Sequence, residues 1–578
     1  LSPDMKRIAF TSPEGVEALT WMRDFLIKLA GPKETGLTKE QAVERAKNNL
    51  NRFRSSFSGP TQDQFGLEKV AMRVDSPFRI PSMLKYFPDL DYGIAPVPYN
   101  KVEAMEVVGN SLVIPRGSKH RDAAWEFIKF ASSREQMLTV TNFNNQFSGR
   151  IPARKSAAKS EELYGNPLIA PFVDQIERGY GRTTPIAPGY REVGDALARN
   201  IEQVFSGKLT PEAALKQASA DGQKTLDKAT EDMTRYPAVP WATLAVVTGV
   251  LLAGTIGFVW FVIIKQTRGH RMARREAVLF YLFLSPWLVG FIVLTLGSIL
   301  ASLVFSFTRW DILSAARFVG ISNYIELIFR DPRFITALYN TIYYAFFSIP
   351  LAMTGGLAIS VLMNQKLRGM QVFRTVYYLP AVVSGVATAI LWQWLFNPTT
   401  GLFNKLLIML GLDKLILTLT GAVVANGFLN EANLAKPAFI IMGLWSVGGA
   451  MIIYLAGLQG IPEELYEAAK IDGTNAWQRF RHVTLPLLSP TIFYQLVIGT
   501  MAAFQFFTPV YIMTGGTGQP EDSTMFYSLY LFKNAFEFMK MGYASAMAWI
   551  LFAIVLVITL VHFKGAKRWV YYEGKSEE

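Results

Sequence analysis

Two sets of residues in this chain could do chemistry, and in both the chemistry is recognition, not bond breaking. The first is Glu463–Pro490, EELYEAAKIDGTNAWQRFRHVTLPLLSP, which lies between two long apolar runs at 438–458 and 491–513. Pro462 suits a first helical position, and Glu463 and Glu464 then face the positive end of the helix dipole. Ala468 and Ala469 offer a small, flat face that another protein can approach closely. Gly473 breaks the helix. A second short amphipathic helix (Trp477, Phe480, Val483) is expected to end at Leu485–Pro486, since proline ends or kinks a helix at its preceding residue. A charged helix, break and helix of this kind is a docking element. The second set is Phe504-Gln505-Phe506-Phe507-Thr508-Pro509, polar and aromatic groups inside an apolar run. Gln505 and Thr508 share a helix face at i,i+3 spacing, and Pro509 can loosen the helix around them.

The residues that usually carry catalysis are missing. The sequence has no cysteine, so a thiolate nucleophile, a disulfide framework and a cysteine metal site are all excluded. The four histidines, His120, His270, His482 and His562, are scattered without ligand spacing, and no metal centre is expected. Gly207-Lys208 lacks the leading glycine of a phosphate loop and is followed by Leu209, so the chain is not expected to hydrolyse ATP itself. No G-x-S-x-G or H-E-x-x-H arrangement points to a hydrolase. The net charge of +12 could suggest nucleic acid. Much of the surplus instead sits beside apolar spans, at Lys265–Arg275 and Lys564–Arg568, as the positive-inside rule requires, and no nucleic-acid role is expected.

The elements that must position these groups fall into two unlike parts. Up to Tyr236 the chain is polar and reads as α/β. Helical patterns appear at 13–29, 39–53, 121–132, 167–178, 193–205 and 211–229, with β-prone runs at 69–74, 92–96 and 107–114. Thr210-Pro211-Glu212 is a helix start, and the stripe Ala124, Trp125, Ile128, Ala131 reads as core packing. Beyond Tyr236, apolar runs of membrane-spanning length recur. The first is 239–264, with Trp241 at its interface. Lys265, Arg268, Arg271, Arg274 and Arg275 follow, which puts its C-terminal end in the cytoplasm and the first domain outside. Further spans are expected at 278–307, 335–363, 376–396, 438–458, 491–513 and 543–563. Threaded alternately, they place Lys366, Arg368, Arg374, the 463–490 stretch and the basic tail on the cytoplasmic side. Residues 402–419 are apolar enough to tempt a further span. Asn404, Lys405, Asp413 and Lys414 argue against it, because a charge at mid-membrane costs roughly 2.5–3.5 kcal/mol on insertion scales.

The spacing Glu467-Ala468-Ala469, then Gly473, then Val483, Leu485 and Pro486 resembles the EAA loop of inner-membrane permeases of ABC importers. The flanking Leu465-Tyr466, Asp472, Trp477 and Pro490 match the sugar-permease branch, as do Phe318-Val319-Gly320, Asp331-Pro332-Arg333-Phe334, Tyr511–Gly516 and Arg568–Tyr572. The resemblance covers nearly all of 275–578. It implies that the loop fits a cleft on a cytosolic ATPase dimer, which binds the ATP and Mg while this chain holds no cofactor. It also implies a second homologous permease subunit. Family members line their transport cavity from the helix of Gln505, Phe506 and Thr508, with Trp445, Ser446 and Tyr454 next. Helix–helix packing is the open alternative for all six, and Gly448-Gly449-Ala450 reads as a close helix contact.

Six pieces in order resemble the second half of extracellular carbohydrate-binding proteins: 14–19, 70–72, 92–98, 109–114, 121–128 and 149–154. There Gly109, Asn110, Ser111 and Arg150 lie where relatives approach ligand; a turn or hinge is the alternative. The chain opens at Leu1 without a signal peptide, so an upstream stretch is expected. The fold expected is therefore in two parts. An N-terminal α/β domain, partial and periplasmic-binding-protein-like, precedes an all-α polytopic membrane domain of the type I ABC importer permease kind with about seven transmembrane helices. The boundaries are 1–236 for the external domain, 237–264 for an extra helix and 265–277 for a basic linker. The permease follows at 278–567, with its coupling loop at 459–490, and 568–578 form a cytoplasmic tail. The expected function is carbohydrate or polyol import across the bacterial cytoplasmic membrane, with the N-terminal domain outside and the C-terminus inside. A transmembrane solute sensor is the alternative; it calls for a large cytoplasmic output domain, and a passive channel would have no use for a docking loop.

Overall fold

The computed structural model describes residues 6–30, 38, 42–43, 46, 63–97, 101, 103–143, 146–179, 181–183, 189–231, 235–242, scattered positions between 249 and 265, 271–312, 314–365, 367–398 and 400–571. The chain divides into two compact units, Leu1–Tyr190 and Arg191–Glu578. The boundary expected at 236 differs from this division, in which residues 191–236 group with the second unit. The expected extra span at 239–264, the basic linker after it and the helix at 39–53 lie largely outside the described residues.

The regular structure described in the first unit is mostly helical. Pro13–Ala30 begins with Pro13 and Glu14 in its first turn, and Arg134–Thr141 begins where the Ser133 hydroxyl accepts from the Gln136 amide. Its core gathers Ile80, Ala158, Leu163, Ile169 and Val173. The β-prone runs at 69–74, 92–96 and 107–114 form almost no sheet. The described strands are two residues long, Met105–Glu106 parallel to Gly181–Arg182 and Asn142–Phe143 antiparallel to Gln146–Phe147. A β-prone run makes a ladder only where a neighbour offers its own N–H and C=O groups, and none lies beside most of these runs among the described residues. The stripe on Arg121–Ala131 also departs from expectation. No residue of that helix is buried, and Trp125 is 54% exposed.

The second unit holds the apolar helices. Among the described residues, four runs are long and apolar enough to cross a membrane: Arg275–Ser306, Pro332–Met363, Ala476–Thr514 and Met541–Ala566. Two bent pairs bring the number to as many as six, Met370–Val382 with Gly385–Leu395 at 96° and Ala432–Leu444 with Gly448–Gln459 at 44°. Each of the six expected spans after 264 falls on one of these. The sharper bend follows Pro380, where Val383 turns extended and the Ser384 side chain caps the next helix on the Ala387 amide. Residues 402–419 make no span. They form Leu402–Met409 and Leu412–Thr420, broken at Gly411 with φ 68°. A helix of nine residues is roughly 14 Å long, against a hydrocarbon core of about 30 Å.

The 32-residue helix Pro332–Met363 is the axis of the bundle. Along its first half, Phe334, Tyr344 and Ala345 join Phe439, Phe504, Phe526 and Tyr527 in one core. Near its other end, Gly356 faces Ala450 and Met451 so closely that a Cβ would stand 2.9 Å from the Ala450 methyl. Gly448 is tighter still, its Cβ position 1.9 Å from the Tyr377 carbonyl oxygen. The glycines at 356 and 448 are therefore helix-contact residues, which let backbones approach as small residues do in membrane bundles.

Candidate functional site

The stretch 463–490 leaves the bundle as two short helices. Glu463–Ile471 starts one residue later than expected, because Pro462 takes the cap position with a non-helical ψ of 134° and Glu463 opens the helix. Gly473 then turns with φ 76°, in the left-handed region that glycine enters without penalty. Asn475 caps the second helix, Ala476–Arg479, through a reciprocal pair: its side chain accepts from the Gln478 amide, and the Gln478 side chain accepts from the Asn475 amide. Two further bonds brace the element. Arg479 Nη1 donates to the Thr474 carbonyl at 2.5 Å, and the Tyr466 and Thr484 hydroxyls meet at 3.0 Å. No residue of either helix is buried. Ile471 is 86% exposed and Trp477 66%.

The exit from this element differs from expectation. Pro486 does not end the helix. A wider turn over Phe480–Thr484 leads straight into Leu485–Phe504 with Pro486 in its first turn, where a missing N–H costs nothing. The run from Ala476 to Thr514 is continuous enough to count as one span. Of the family's motif residues, Glu467 and Ala468 are exposed and Ala469 is half-buried, while Val483 and Leu485 are half-buried and Pro486 is exposed. The element is braced by its own hydrogen bonds and solvent-facing, and its second helix is continuous with a bundle helix.

The second set of residues sits where Leu485–Phe504 ends. Gln505 takes the cap position and is exposed, and the next helix begins at Thr508. Thr508 is exposed as well. The Phe506 ring stacks on Tyr344 with centroids 4.3 Å apart and meets Phe439 and Phe526 edge-on. Phe506 also borders a cavity of about 220 Å³, together with Ser348, Met353, Gly443 and Gln495. Trp445 and Ser446 are exposed at the bend between Ala432–Leu444 and Gly448–Gln459, with the Trp445 ring edge-on to Trp392. Tyr454 lies elsewhere. It is fully buried against Leu458 and Leu488, apart from the residues named for the cavity. In the first unit, Gly109, Asn110 and Ser111 are exposed chain outside any helix or strand, and Arg150 is exposed. Gly149 before it turns with φ 79°, where a Cβ would lie 2.7 Å from the Phe78 Cα. Among the described residues no group of His, Asp and Glu is placed to hold a metal ion.

One cluster was not singled out from the sequence. Arg333, 8% exposed, donates to Asp195 at 2.6 Å and to both oxygens of Asp522 at 2.9 and 3.1 Å. Beside it, Asp331 accepts from the amides of Arg333 and Phe334 and from the hydroxyls of Tyr530 and Tyr543. These residues border a polar cavity of about 620 Å³ at the end of the bundle away from the 463–479 element. The only signal in the sequence was a buried-looking Arg in the first turn of an apolar helix, inside Asp331–Phe334.

Comparison with known proteins fits this geometry. Residues 329–564 match the family of the binding-protein-dependent transport system inner membrane component, and residues 3–171 match the bacterial extracellular solute-binding protein family. The chain is 40% identical over 308 residues to the protein named "Probable ABC transporter permease protein YesP" of Bacillus subtilis (strain 168), covering 53% of this chain and 96% of that one. It is 35% identical to the lactose transport system permease protein LacF of Rhizobium radiobacter, covering 50% and 93%. To the trehalose/maltose transport system permease protein MalF of Thermococcus litoralis it is 31% identical, covering 51% and 95%. A solved bacterial ABC transporter involved in alginate import covers 51% of this chain and 96% of its own, at 24% identity and a TM-score of 0.44. The chain belongs to the inner-membrane permease family of ABC transporters, with a segment related to extracellular solute-binding proteins joined ahead of the permease.

Proposed function

We propose that this chain is the permease subunit of an importer for a carbohydrate or related polyol, driven by an ATPase dimer that docks on Glu463–Arg479. The observation that carries the reading is the element itself: two solvent-facing helices around a left-handed glycine, braced within and running unbroken into a bundle helix. A movement imposed on its second helix passes to Leu485–Phe504 without a break between. The chain has no phosphate loop, so ATP and Mg belong to the partner. The substrate class follows from relatives named for lactose, trehalose/maltose and arabinooligosaccharides. A second homologous permease completes the pathway, since six spans form half of the usual one. The chain sits in the cytoplasmic membrane with the 1–190 unit outside and the C-terminus inside, and substrate passes inward by alternating access.

Reversing the charge at Glu467, on the exposed face, tests the dock. Glu467→Lys is expected to reduce capture of the ATPase subunits from detergent extracts by roughly tenfold, the equivalent of about 1.4 kcal/mol. Capture at the wild-type level would remove the element from the docking surface.

The path is proposed to run beside Gln505, Phe506 and Thr508 and past Trp445 and Ser446, where exposed polar groups and ring faces lie at helix breaks. Tyr454 fits this proposal least, being enclosed by leucines. In the first unit, Gly109–Ser111 and Arg150 are proposed as the solute contact. Gln505→Leu keeps the size of the side chain and removes its hydrogen bonds, and it is expected to lower uptake at an unchanged ATPase content. Unaltered uptake would move the path elsewhere.

A further inference from the structure

Residues 191–239 fall between the two family matches, which end at 171 and begin at 329. They nevertheless carry a dense set of ionic contacts to the permease. Their two helices, Tyr190–Phe205 and Pro211–Ala229, lie across the end of the bundle opposite the docking element. Asp195 meets Arg333 at 2.6 Å and Lys533 at 3.6 Å. Glu192 pairs with Lys540, Lys208 with Glu521, and Lys228 with Glu326. Glu231 holds Arg309 at 2.6 Å. The C-terminal end is added edge to edge: Phe318 N donates to the Pro237 carbonyl at 2.9 Å, and Val239 N to that of Ala316 at 3.1 Å.

Magnitudes decide which of these contacts matter. Exposed ion pairs contribute little, because water and salt screen them. The Arg333 and Lys533 side chains are only 8% and 7% exposed, and lifting Asp195 away would leave buried cations short of a partner. The permease groups that face the segment are also fastened to one another. Asn340 donates to the carbonyls of Asp522 and Met525 at 2.8 and 3.0 Å. Tyr530 and Tyr543 donate to Asp331 at 2.8 and 2.6 Å. Glu521 and Asp522 hold left-handed backbone, φ 53° and 54°, a conformation that persists where the surroundings over-determine it. The helix start, the 519–526 loop and the starts of the two last helices thus form one patch, on which the first of the segment's two helices rests, while its C-terminal end is held at Arg309, Ala316 and Phe318.

We propose that Arg191–Tyr236 is a built-in cap: it occupies the face of the permease opposite the docking element, where a separate solute-binding protein would otherwise land, and stays seated there through the transport cycle. Occupancy of the face rests on the contacts above; persistence through transport rests also on the importer reading.

The chain has no cysteine, so Lys208→Cys with Glu521→Cys introduces a single reactive pair across the cap. The doubly substituted full chain, assembled with its ATPase and second permease in proteoliposomes, is treated with a short bismaleimide. The expected result is near-complete linkage with and without ATP, and uptake equal to that of the unlinked control. Failure to link in the resting state overturns occupancy. Linkage that is lost with ATP, or that stops uptake, shows the cap must lift and overturns persistence. Uptake absent from the unlinked wild-type assembly overturns the importer reading, and with it persistence, while the linkage yield still decides occupancy.

Discussion

Gly473→Pro is expected to abolish ATPase capture and uptake together, whereas Gly473→Asn is expected to keep both near the wild-type level. Space is not the reason, since no atom lies within 4 Å of where a Cβ at 473 would stand. Backbone is. At φ 76° the residue occupies a region that costs an ordinary L-residue about 1–2 kcal/mol and that asparagine tolerates. Proline cannot enter it, because its ring fixes φ near −65°. Proline also removes the amide that donates to the Lys470 carbonyl at 3.0 Å. The angle between Glu463–Ile471 and Ala476–Arg479 would then change, and with it the placement of the exposed Glu467 and Ile471 relative to Trp477. Because nothing on these two helices is buried, the thermal midpoint of the bundle should hardly move. Loss of capture at unchanged stability is the signature to look for. Gly473→Ala should fall between the two, weakened by strain alone. Capture by the proline variant would show that the loop's direction is immaterial to docking; its loss in the asparagine variant would show that the glycine serves something other than its φ.

Much of this was legible in the sequence, for reasons that have a physical basis. A membrane span advertises itself because the solvent demands some 20 apolar residues in a row, and every expected span after 264 has its helix. Residues 402–419 were rightly kept out of the count by polar residues, of which Asn404 proves to be buried with its amide on the Phe396 and Asn397 carbonyls. The break at Gly473 was readable since only backbone chemistry was involved. What failed depended on partners. The valines and methionine of 69–74 and 107–114 have β propensity, but propensity supplies no neighbouring strand, and Met72, Val74, Val108 and Val113 stand exposed. Pro486 was read as a stop because one sequence does not show the wider turn at 480–484 that leads into the following helix. The cap was hidden most completely. Val193, Ala196, Asn200 and Val204 form the buried face of an ordinary amphipathic helix, and nothing local says that it packs on residues more than a hundred positions away.

Removing the guanidinium at 333 is expected to destabilise the second unit more than removing either carboxylate it holds. Arg333→Ala leaves Asp195 and Asp522 facing each other across a site that is 8% exposed at its centre, and breaking a buried ionic group from one side costs about 3–5 kcal/mol. Asp195→Asn is milder, because Arg333 keeps its two bonds to Asp522 and the amide oxygen still accepts. Asp522→Asn should fall between them, since it weakens the bidentate pair but leaves the loop tied through the Asp522 carbonyl to Asn340. Arg333→Lys should rescue only part of the loss. A lysine restores the charge, yet its single nitrogen cannot reproduce a planar fork that reaches two carboxylates in different directions. Lys533, 3.6 Å from Asp195, softens the effect on that side; among the described residues no second cation is paired with Asp522. The order Arg333→Ala, Arg333→Lys, Asp522→Asn, Asp195→Asn, from least to most stable, can be read from thermal midpoints of the detergent-solubilised full chain. A midpoint for Arg333→Ala no lower than that for Asp195→Asn would mean that water already reaches the cluster. The screening that makes surface pairs weak would then apply at Arg333 too, and the cap would have to be held by its backbone pairing at 316–318 rather than by charge.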